Sequence, residues 1–157
     1  MKPLVVLLGV FTLTSLIAWF STGNWHLAFG GNLAMCLMLF LTAIGHFKFT
    51  QGMALMLPPF MPYRTGLVLI TGVLEIVLGL ALLFPAVRPY AGYTLIVFFM
   101  LILPSNIYAA IKHLNMEKAT YDGPGLSYLW FRIPLQAFFI GWIFYFSIYL
   151  QSKAAAV

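Results

Sequence analysis

Five long apolar stretches, separated by short polar or proline-rich segments, are the feature that most limits how this chain can fold. They cover approximately residues 4–20, 25–47, 66–84, 93–112 and 128–150. About 20 apolar residues allow a helix to cross the hydrocarbon core of a bilayer. Only 7% of the residues are Asp, Glu, Lys or Arg, too few to cover a water-exposed surface. The sequence therefore predicts an all-α, polytopic transmembrane bundle with five spans, forming a single membrane domain over residues 1–157.

The segments around these spans differ in character. The run after Lys2 partly resembles a secretory signal, but it lacks an Ala-x-Ala cleavage site and is long for one, so we expect a retained helix. Residues 48–65 contain Pro58, Pro59 and Pro62, which cannot continue a helix. We expect this segment to lie at the membrane interface, with one short helical turn before the prolines. Residues 112–127 are the most polar stretch and predict a solvated loop.

The basic residues predict the orientation of the chain. They are spread singly, without the clusters that nucleic-acid binding requires, so the predicted partner is the lipid bilayer. Lysines and arginines are more frequent in cytoplasmic loops. With five spans, one side carries Lys2, Lys48, Arg64, Lys112 and Lys118, and the other carries Arg88 and Lys153. We therefore expect a multi-pass plasma-membrane protein with a cytoplasmic N-terminus and a non-cytoplasmic C-terminus.

Two ionisable residues lie inside the apolar spans. Glu75 shares a helical face with Gly72 and Gly79, and small residues let another helix approach closely, so Glu75 should face the bundle interior. Arg132 begins the fifth span with Gln136 one turn later on the same face. Because a buried charge is least costly when paired, we expect Glu75 and Arg132 to form an ion pair. The alternatives are a neutral Glu75 that locks two helices and an Arg132 that reaches the interface.

Further polar residues are expected in the same half of the membrane. Pro104 within the fourth span frees a backbone carbonyl beside Ser105 and Asn106, whereas Pro134 lies early enough in the fifth span to be tolerated. His46 ends the second span and should lie more than two turns from Glu75 in depth, which argues against direct contact. Together they predict a one-sided polar ligand pocket. Its candidate residues are His46, Glu75, Ser105, Asn106, Arg132 and Gln136, with Gly72, Gly79, Pro104 and Pro134 in structural roles.

The sequence offers few residues for cofactor chemistry. Cys36 is the single cysteine, which excludes an intrachain disulfide and a CxxC pair. We expect no covalent cofactor and no metal site, because the sequence has no His, Cys and Asp cluster at metal-ligand spacing. His26 and His46 are too far apart on one helix to share a haem. Electron transfer would need a partner or a soluble carrier such as a quinone.

Five motifs together resemble the DoxX family of small bacterial and archaeal membrane proteins. They are GHF (45–47), MLPPFMP (56–62), GVLEIVLGLALLF (72–84), LPSNIYAAI (103–111) and FRIPLQ (131–136). The resemblance covers roughly residues 30–145 and implies a four-helix core, with the N-terminal helix as an addition. It marks five functional positions, which are His46, Glu75, Asn106, Arg132 and Gln136. It also implies a link to redox complexes, since the name-giving members are similar to a small subunit of an archaeal thiosulfate:quinone oxidoreductase.

The leading hypothesis is an accessory subunit of a membrane redox system that binds a quinone or another small amphipathic ligand. The alternatives are a small transporter or lipid-handling protein that uses the same pocket, and a purely structural subunit. An acid-base enzyme would require contact between Glu75 and His46, and the sequence contains no self-contained catalytic motif. The expected partners are a redox subunit or further copies of this chain.

Overall fold

Among residues 2–155, five helices are long and apolar enough to cross a membrane, as the sequence predicts. The structure is a computed structural model that describes the backbone of residues 2–155 and the side chains of residues 2–153. The helices are α1 (Lys2–Thr22), α2 (Leu27–Lys48), the short α3 (Thr50–Leu55), α4 (Arg64–Ala81), α5 (Arg88–Ile111), α6 (Leu129–Ile143) and α7 (Leu150–Ala155). A 3₁₀ turn (Gly125–Tyr128) precedes α6 and a π-helical segment (Phe144–Tyr149) follows it, so that the fifth span is Gly125–Lys153. No β-strand occurs within residues 2–155.

Helix α2 is the central helix of the bundle. Half of the residues in the most apolar stretch of α2 are buried inside the protein, compared with 11% in α1. Helix α1 therefore lies at the periphery of the bundle. Helix α2 packs mainly on α1 and α4, and it also contacts the π-helical segment. Helices α5 and α6 form a second packed pair. The core between these groups is apolar and includes Met35, Leu39, Leu95 and Ile143.

Close helix contacts are made at glycines. Gly30 of α2 lies against Thr14 of α1, where an added Cβ would come within 3.1 Å of the Thr14 hydroxyl oxygen. Gly31 lies directly against the ring of Phe146, which leaves no room for a side chain. Because α2 uses small residues toward two neighbours, both can approach its backbone closely.

One end of the bundle is closed by α3 and the polar loop, and we call it the loop end (residues 48–64 and 112–125). Helix α3 ends before Pro58, and its six residues make more than the single helical turn expected there. Gly52 of α3 packs directly against the backbone of Met116 in the loop. Within the loop, the hydroxyl of exposed Thr120 donates to Asp122 and holds the pKa of that carboxyl below its usual value. The loop is therefore ordered and seated on α3.

Arg88 organises the opposite end, which we call the turn end (residues 23–26 and 82–87). The sequence placed Arg88 in a connecting loop, but it begins α5 and is only 6% exposed. Its Nε donates to the carbonyl of Leu82 at 2.8 Å, and its Nη2 donates to the carbonyl of Leu83 at 3.3 Å. Its Nη1 donates to the side-chain oxygen of Gln151 at 2.8 Å. Arg88 thus satisfies carbonyls at the C-terminal end of α4 and joins them to α7.

The π-helical segment is tied to α2 by a polar contact inside the bundle. Asn32 is fully buried, and its amide nitrogen donates to the carbonyl of Phe146 at 3.0 Å. Its amide oxygen accepts a hydrogen bond from the hydroxyl of Ser147 at 2.7 Å. A π-helix disturbs the regular hydrogen bonding of a helix. Asn32 therefore provides hydrogen-bond partners for Phe146 and Ser147 at the place where the chain departs from α-helical geometry.

Candidate functional site

The most concentrated polar site lies between α2 and α4. Nε2 of His46 is 3.6 Å from Oε1 of Glu75, and Glu75 is only 3% exposed. The hydroxyl of Thr42 donates to Oε2 of Glu75 at 2.8 Å. Thr71 adds a hydroxyl 3.1 Å from Nδ1 of His46. We call these four residues, Thr42, His46, Thr71 and Glu75, the α2–α4 cluster.

The hydrogen bonds of His46 determine where its protons lie. Nδ1 is 2.9 Å from the carbonyl oxygen of Val68, and that oxygen can only accept. Nδ1 therefore carries a proton, and Nε2 is the nitrogen that faces Glu75. Between Nε2 and Glu75, one proton gives either an imidazolium beside a carboxylate or a neutral imidazole beside a carboxylic acid.

The contact between His46 and Glu75 differs from the expectation that their depths separate them. Helices α2 and α4 run antiparallel, and Cα–Cβ bonds tilt toward the N-terminus of their own helix. The side chain of His46 therefore extends away from the loop end, whereas that of Glu75 extends toward it. The backbone at Gly72 also lies close to His46, because an added Cβ there would be 2.8 Å from the Cβ of His46. A comparison of Cα depths alone misses these opposite directions.

The expected ion pair between Glu75 and Arg132 is wrong. Within residues 2–153, the only salt-bridge partner of Glu75 is His46. Helix α4 packs on α2, α3 and α5, while α6 packs mainly on α5 and on the segments next to it in the chain. Arg132 is half-buried, and its Nε is enclosed without a hydrogen-bond partner in that same range. The helix order keeps the two charged groups in separate seams.

The other predicted site residues lie along α5 and α6. Gln136 is buried, and its amide nitrogen donates to the carbonyl of Phe99. Asn106 is also buried, and its amide nitrogen donates to the carbonyl of Ile102 within its own helix at 2.9 Å. Ser105 is half-buried beside it. The structure thus divides the six candidates into one pair on α2 and α4 and a group of four on α5 and α6.

The four predicted structural residues also have defined positions. Gly72 and Gly79 both face α2, and Gly79 lies in ordinary contact with Cys36 and Leu39. Pro104 lies inside α5 and Pro134 inside α6, and both prolines are exposed on the outside of the bundle. The two prolines are therefore on the outer surface of the bundle, and the two glycines are in the helix contact.

Sequence reasoning missed several polar residues that the structure places in the interior. Thr42 and Thr71 lie one helical turn from His46 and Glu75, respectively, on the same faces, and this spacing is the signal that could have found them. Ser147, the partner of Asn32, carries no such signal, because the π-helical segment changes which residues face inward. The inward position of Arg88 likewise depends on a tertiary contact with Gln151.

Two grooves on the surface of the described residues are lined by other side chains. One is an apolar groove on α4, lined by Leu69, Ile70, Val73, Leu74 and Val77. The other lies between α1 and α2 near the turn end and includes Thr14, Ser21 and His26. Residues 2–155 contain no group of three or more His, Cys, Asp or Glu side chains placed to hold a metal ion. The side chains of the α2–α4 cluster can donate and accept hydrogen bonds.

These features define a polytopic helical membrane protein with a protonatable pair inside its apolar spans. The chain belongs to the family described as Domain of unknown function (DUF8561), whose profile matches residues 35–147. This match replaces the DoxX family that the motifs suggested, so the resemblance to DoxX proteins is wrong. The match begins within α2 and ends within the π-helical segment, so it includes both His46 and Glu75. No curated protein and no solved structure matches the chain.

Proposed function

We propose that this protein binds a small amphipathic ligand of the quinone type as an accessory subunit of a membrane redox system. In this proposal the His46–Glu75 pair exchanges a proton with the ligand site, and a partner subunit supplies the electrons. The supporting observation is the 3.6 Å contact between His46 and Glu75 inside apolar helices. Ionisable residues in membrane spans are costly and commonly mark functional sites, proton relays among them.

The chemistry of quinones explains why such a pair would be useful. Reduction of a quinone to a hydroquinone takes up protons, and oxidation releases them. A site inside the membrane therefore needs a group that titrates near neutral pH, and histidine is the side chain that does so. Thr42 and Val68 hold the pair in place, because each binds one of its two members.

The orientation proposed for the chain places this pair near the cytoplasm. In that arrangement the loop end faces the cytoplasm at the plasma membrane, with the N-terminus inside and the C-terminus outside. Cys36 is buried, so a cysteine introduced at exposed Lys118 can be labelled selectively. We expect a membrane-impermeant maleimide to label Lys118→Cys only after cells are opened. Labelling of intact cells would reverse the proposed orientation.

Quinone retention tests the proposed ligand. The protein would be purified in mild detergent and extracted with organic solvent, and the quinone content per protein would be measured. We expect quinone in the unmodified protein, and about tenfold less in His46→Asn and Glu75→Gln, since each removes one member of the pair that exchanges a proton with the ligand site. The matched control is His26→Asn, because exposed His26 precedes the opposite end of α2 and has a left-handed backbone that asparagine tolerates. An equal quinone content in all four proteins, or none in any, would overturn the proposal.

Proton-coupled transport is the second candidate function, because a buried ionisable pair can also belong to an ion pathway. Proteoliposomes that contain a pH-sensitive dye test it under an imposed membrane potential. A proton flux that the unmodified protein carries and Glu75→Gln lacks would favour a transporter over a quinone-binding subunit. If neither flux nor quinone retention is found and the variants only lose stability, the cluster is a structural lock.

A further inference from the structure

The seam between α5 and α6 contains two polar atoms that the fold encloses but does not satisfy. Within residues 2–153, Nε of Arg132 and Oε1 of Gln136 are buried and lack a hydrogen-bond partner. Both residues lie on the same face of α6, one helical turn apart. Gln136 is only 4% exposed, whereas Arg132 is half-buried. Ser15, on α1, is the only other side chain in that range with such an atom.

The orientation of the Gln136 amide is fixed by its other contact. Its nitrogen donates to the carbonyl oxygen of Phe99, which can only accept. The amide oxygen must therefore point away from Phe99, and a flip of the amide would place two acceptors together. The unsatisfied atoms are thus one acceptor, Oε1 of Gln136, and one donor, the Nε–H of Arg132.

One chemical group can satisfy both atoms at the same time. A hydroxyl oxygen accepts from a donor such as the Nε–H of Arg132, while its O–H donates to an acceptor such as Oε1 of Gln136. A carbonyl, a carboxylate or a fully ionised phosphate can only accept, so each would leave Gln136 unsatisfied. The two atoms therefore select for a hydroxyl over these other oxygen groups.

We propose that Arg132 and Gln136 bind the hydroxyl of a reduced, hydroquinone-type ligand, so that the site prefers the reduced form of its ligand over the oxidised form. This inference rests on the proposed function and adds a second contact for its ligand, in the seam between α5 and α6 and apart from the His46–Glu75 pair. Arg132 lies in the first turn of α6 and is half-buried, so its side chain is the more accessible of the two. Gln136 stays in place, anchored to Phe99.

A hydroxyl at this position could come from the ligand or from a water molecule. A water would satisfy the same two atoms and would stabilise the seam without any preference between oxidised and reduced ligand. The experiment must therefore compare the two forms of one ligand. Decylubiquinol and decylubiquinone serve this purpose, because they differ in the hydroxyl groups and share the tail.

Binding of each form would be measured by quenching of tryptophan fluorescence, with the full-length protein in lipid nanodiscs. We expect the unmodified protein to bind decylubiquinol about tenfold more tightly than decylubiquinone, the scale of one charge-assisted hydrogen bond. Gln136→Met and, independently, Arg132→Met should each abolish this preference and leave the affinity for decylubiquinone nearly unchanged. Gln151→Met is the matched control at the turn end and should keep the preference, because Gln151 binds Arg88 and lies outside this seam.

The outcomes separate this inference from the proposed function. Equal affinity of the unmodified protein for both forms would overturn the inference, would indicate water as the occupant, and would leave the proposed function standing. A preference that both Gln136→Met and Arg132→Met retain would also overturn it. Binding of neither form would reject both the inference and the quinone-type ligand. Because two variants test the same preference, failure of one to fold leaves the other as the test.

Discussion

The two ends of the bundle bury ionisable groups in different ways. At the turn end, Arg88 donates to two carbonyls and an amide oxygen, all of which are neutral. Toward the loop end, Glu75 faces His46, which can itself change charge. A charge surrounded by neutral acceptors has one stable state and suits a structural joint. A charge that faces a titratable partner has several states and suits a site that handles protons.

The largest effect that this comparison predicts is at Arg88. Arg88→Met should lower the free energy of unfolding by about 2–4 kcal/mol, because it removes three hydrogen bonds from a charged donor that joins the end of α4 to α7. Titration with SDS in mixed micelles measures this change. Arg64→Gln, at the other end of α4, is the control and should cost little. If Arg88→Met were as mild as Arg64→Gln, the turn-end joint would contribute no stability.

The second prediction concerns the coupling between His46 and Glu75. His46→Asn and Glu75→Gln should each destabilise the protein, and the double variant should cost less than their sum, with a coupling of about 1–2 kcal/mol. The reason is that either single change leaves the other member buried without its partner. The same SDS titration gives all three values. Purely additive effects would mean that the contact contributes nothing beyond packing.

The third prediction concerns the close contact of α2 and α4 at Gly72. Gly72→Ala should destabilise by about 1–2 kcal/mol, because its Cβ would lie 2.8 Å from the Cβ of His46 and push α2 and α4 apart. Gly141→Ala is a matched control in α6, where an added Cβ meets nothing within 4 Å. There the change should be neutral or slightly stabilising, because alanine favours the helix. The prediction fails if the two substitutions have the same effect in the unfolding titration.

The smallest expected effect distinguishes the observed pairing from the one that the sequence suggested. Glu75→Gln and Arg132→Gln should combine additively, to within ~0.5 kcal/mol, because the two residues lie in separate seams and share no partner. The unfolding free energies of the two single variants and the double variant provide the measurement. A coupling free energy as large as that between His46 and Glu75 would instead support an ion pair between Glu75 and Arg132.

Much of the architecture follows from local properties of the sequence. The number of spans follows from apolar length, which depends on the thickness of the bilayer and needs no tertiary information. The end of α3 before Pro58 follows from the missing proline N–H and its steric limits. The inward position of Glu75 follows from the cost of a carboxylate in lipid and from the glycines on its face.

The pairing inside the bundle depends on which helices become neighbours, and the sequence contains no direct signal for that. Charge balance favoured Glu75 with Arg132, but the packing of α4 on α2 makes His46 the partner. The direction of side chains along antiparallel helices then decides which residues meet, and this requires a known helix order. The DoxX resemblance failed for a related reason, since short motifs of glycine, proline and apolar residues recur wherever helices pack in membranes.

The π-helical segment has a consequence for the register of the chain. Each residue of an α-helix advances the direction of the following side chains by about 100°. A π-helix amounts to an extra residue accommodated within a helix, so if Phe144–Tyr149 became regular α-helix while keeping all of its residues, everything beyond it would rotate by about 100°. Gln151 would turn away from Arg88, and Ser147 would turn away from Asn32. The π-helical segment thus sets the rotation of the last part of the span, so that its polar side chains face their partners in the bundle.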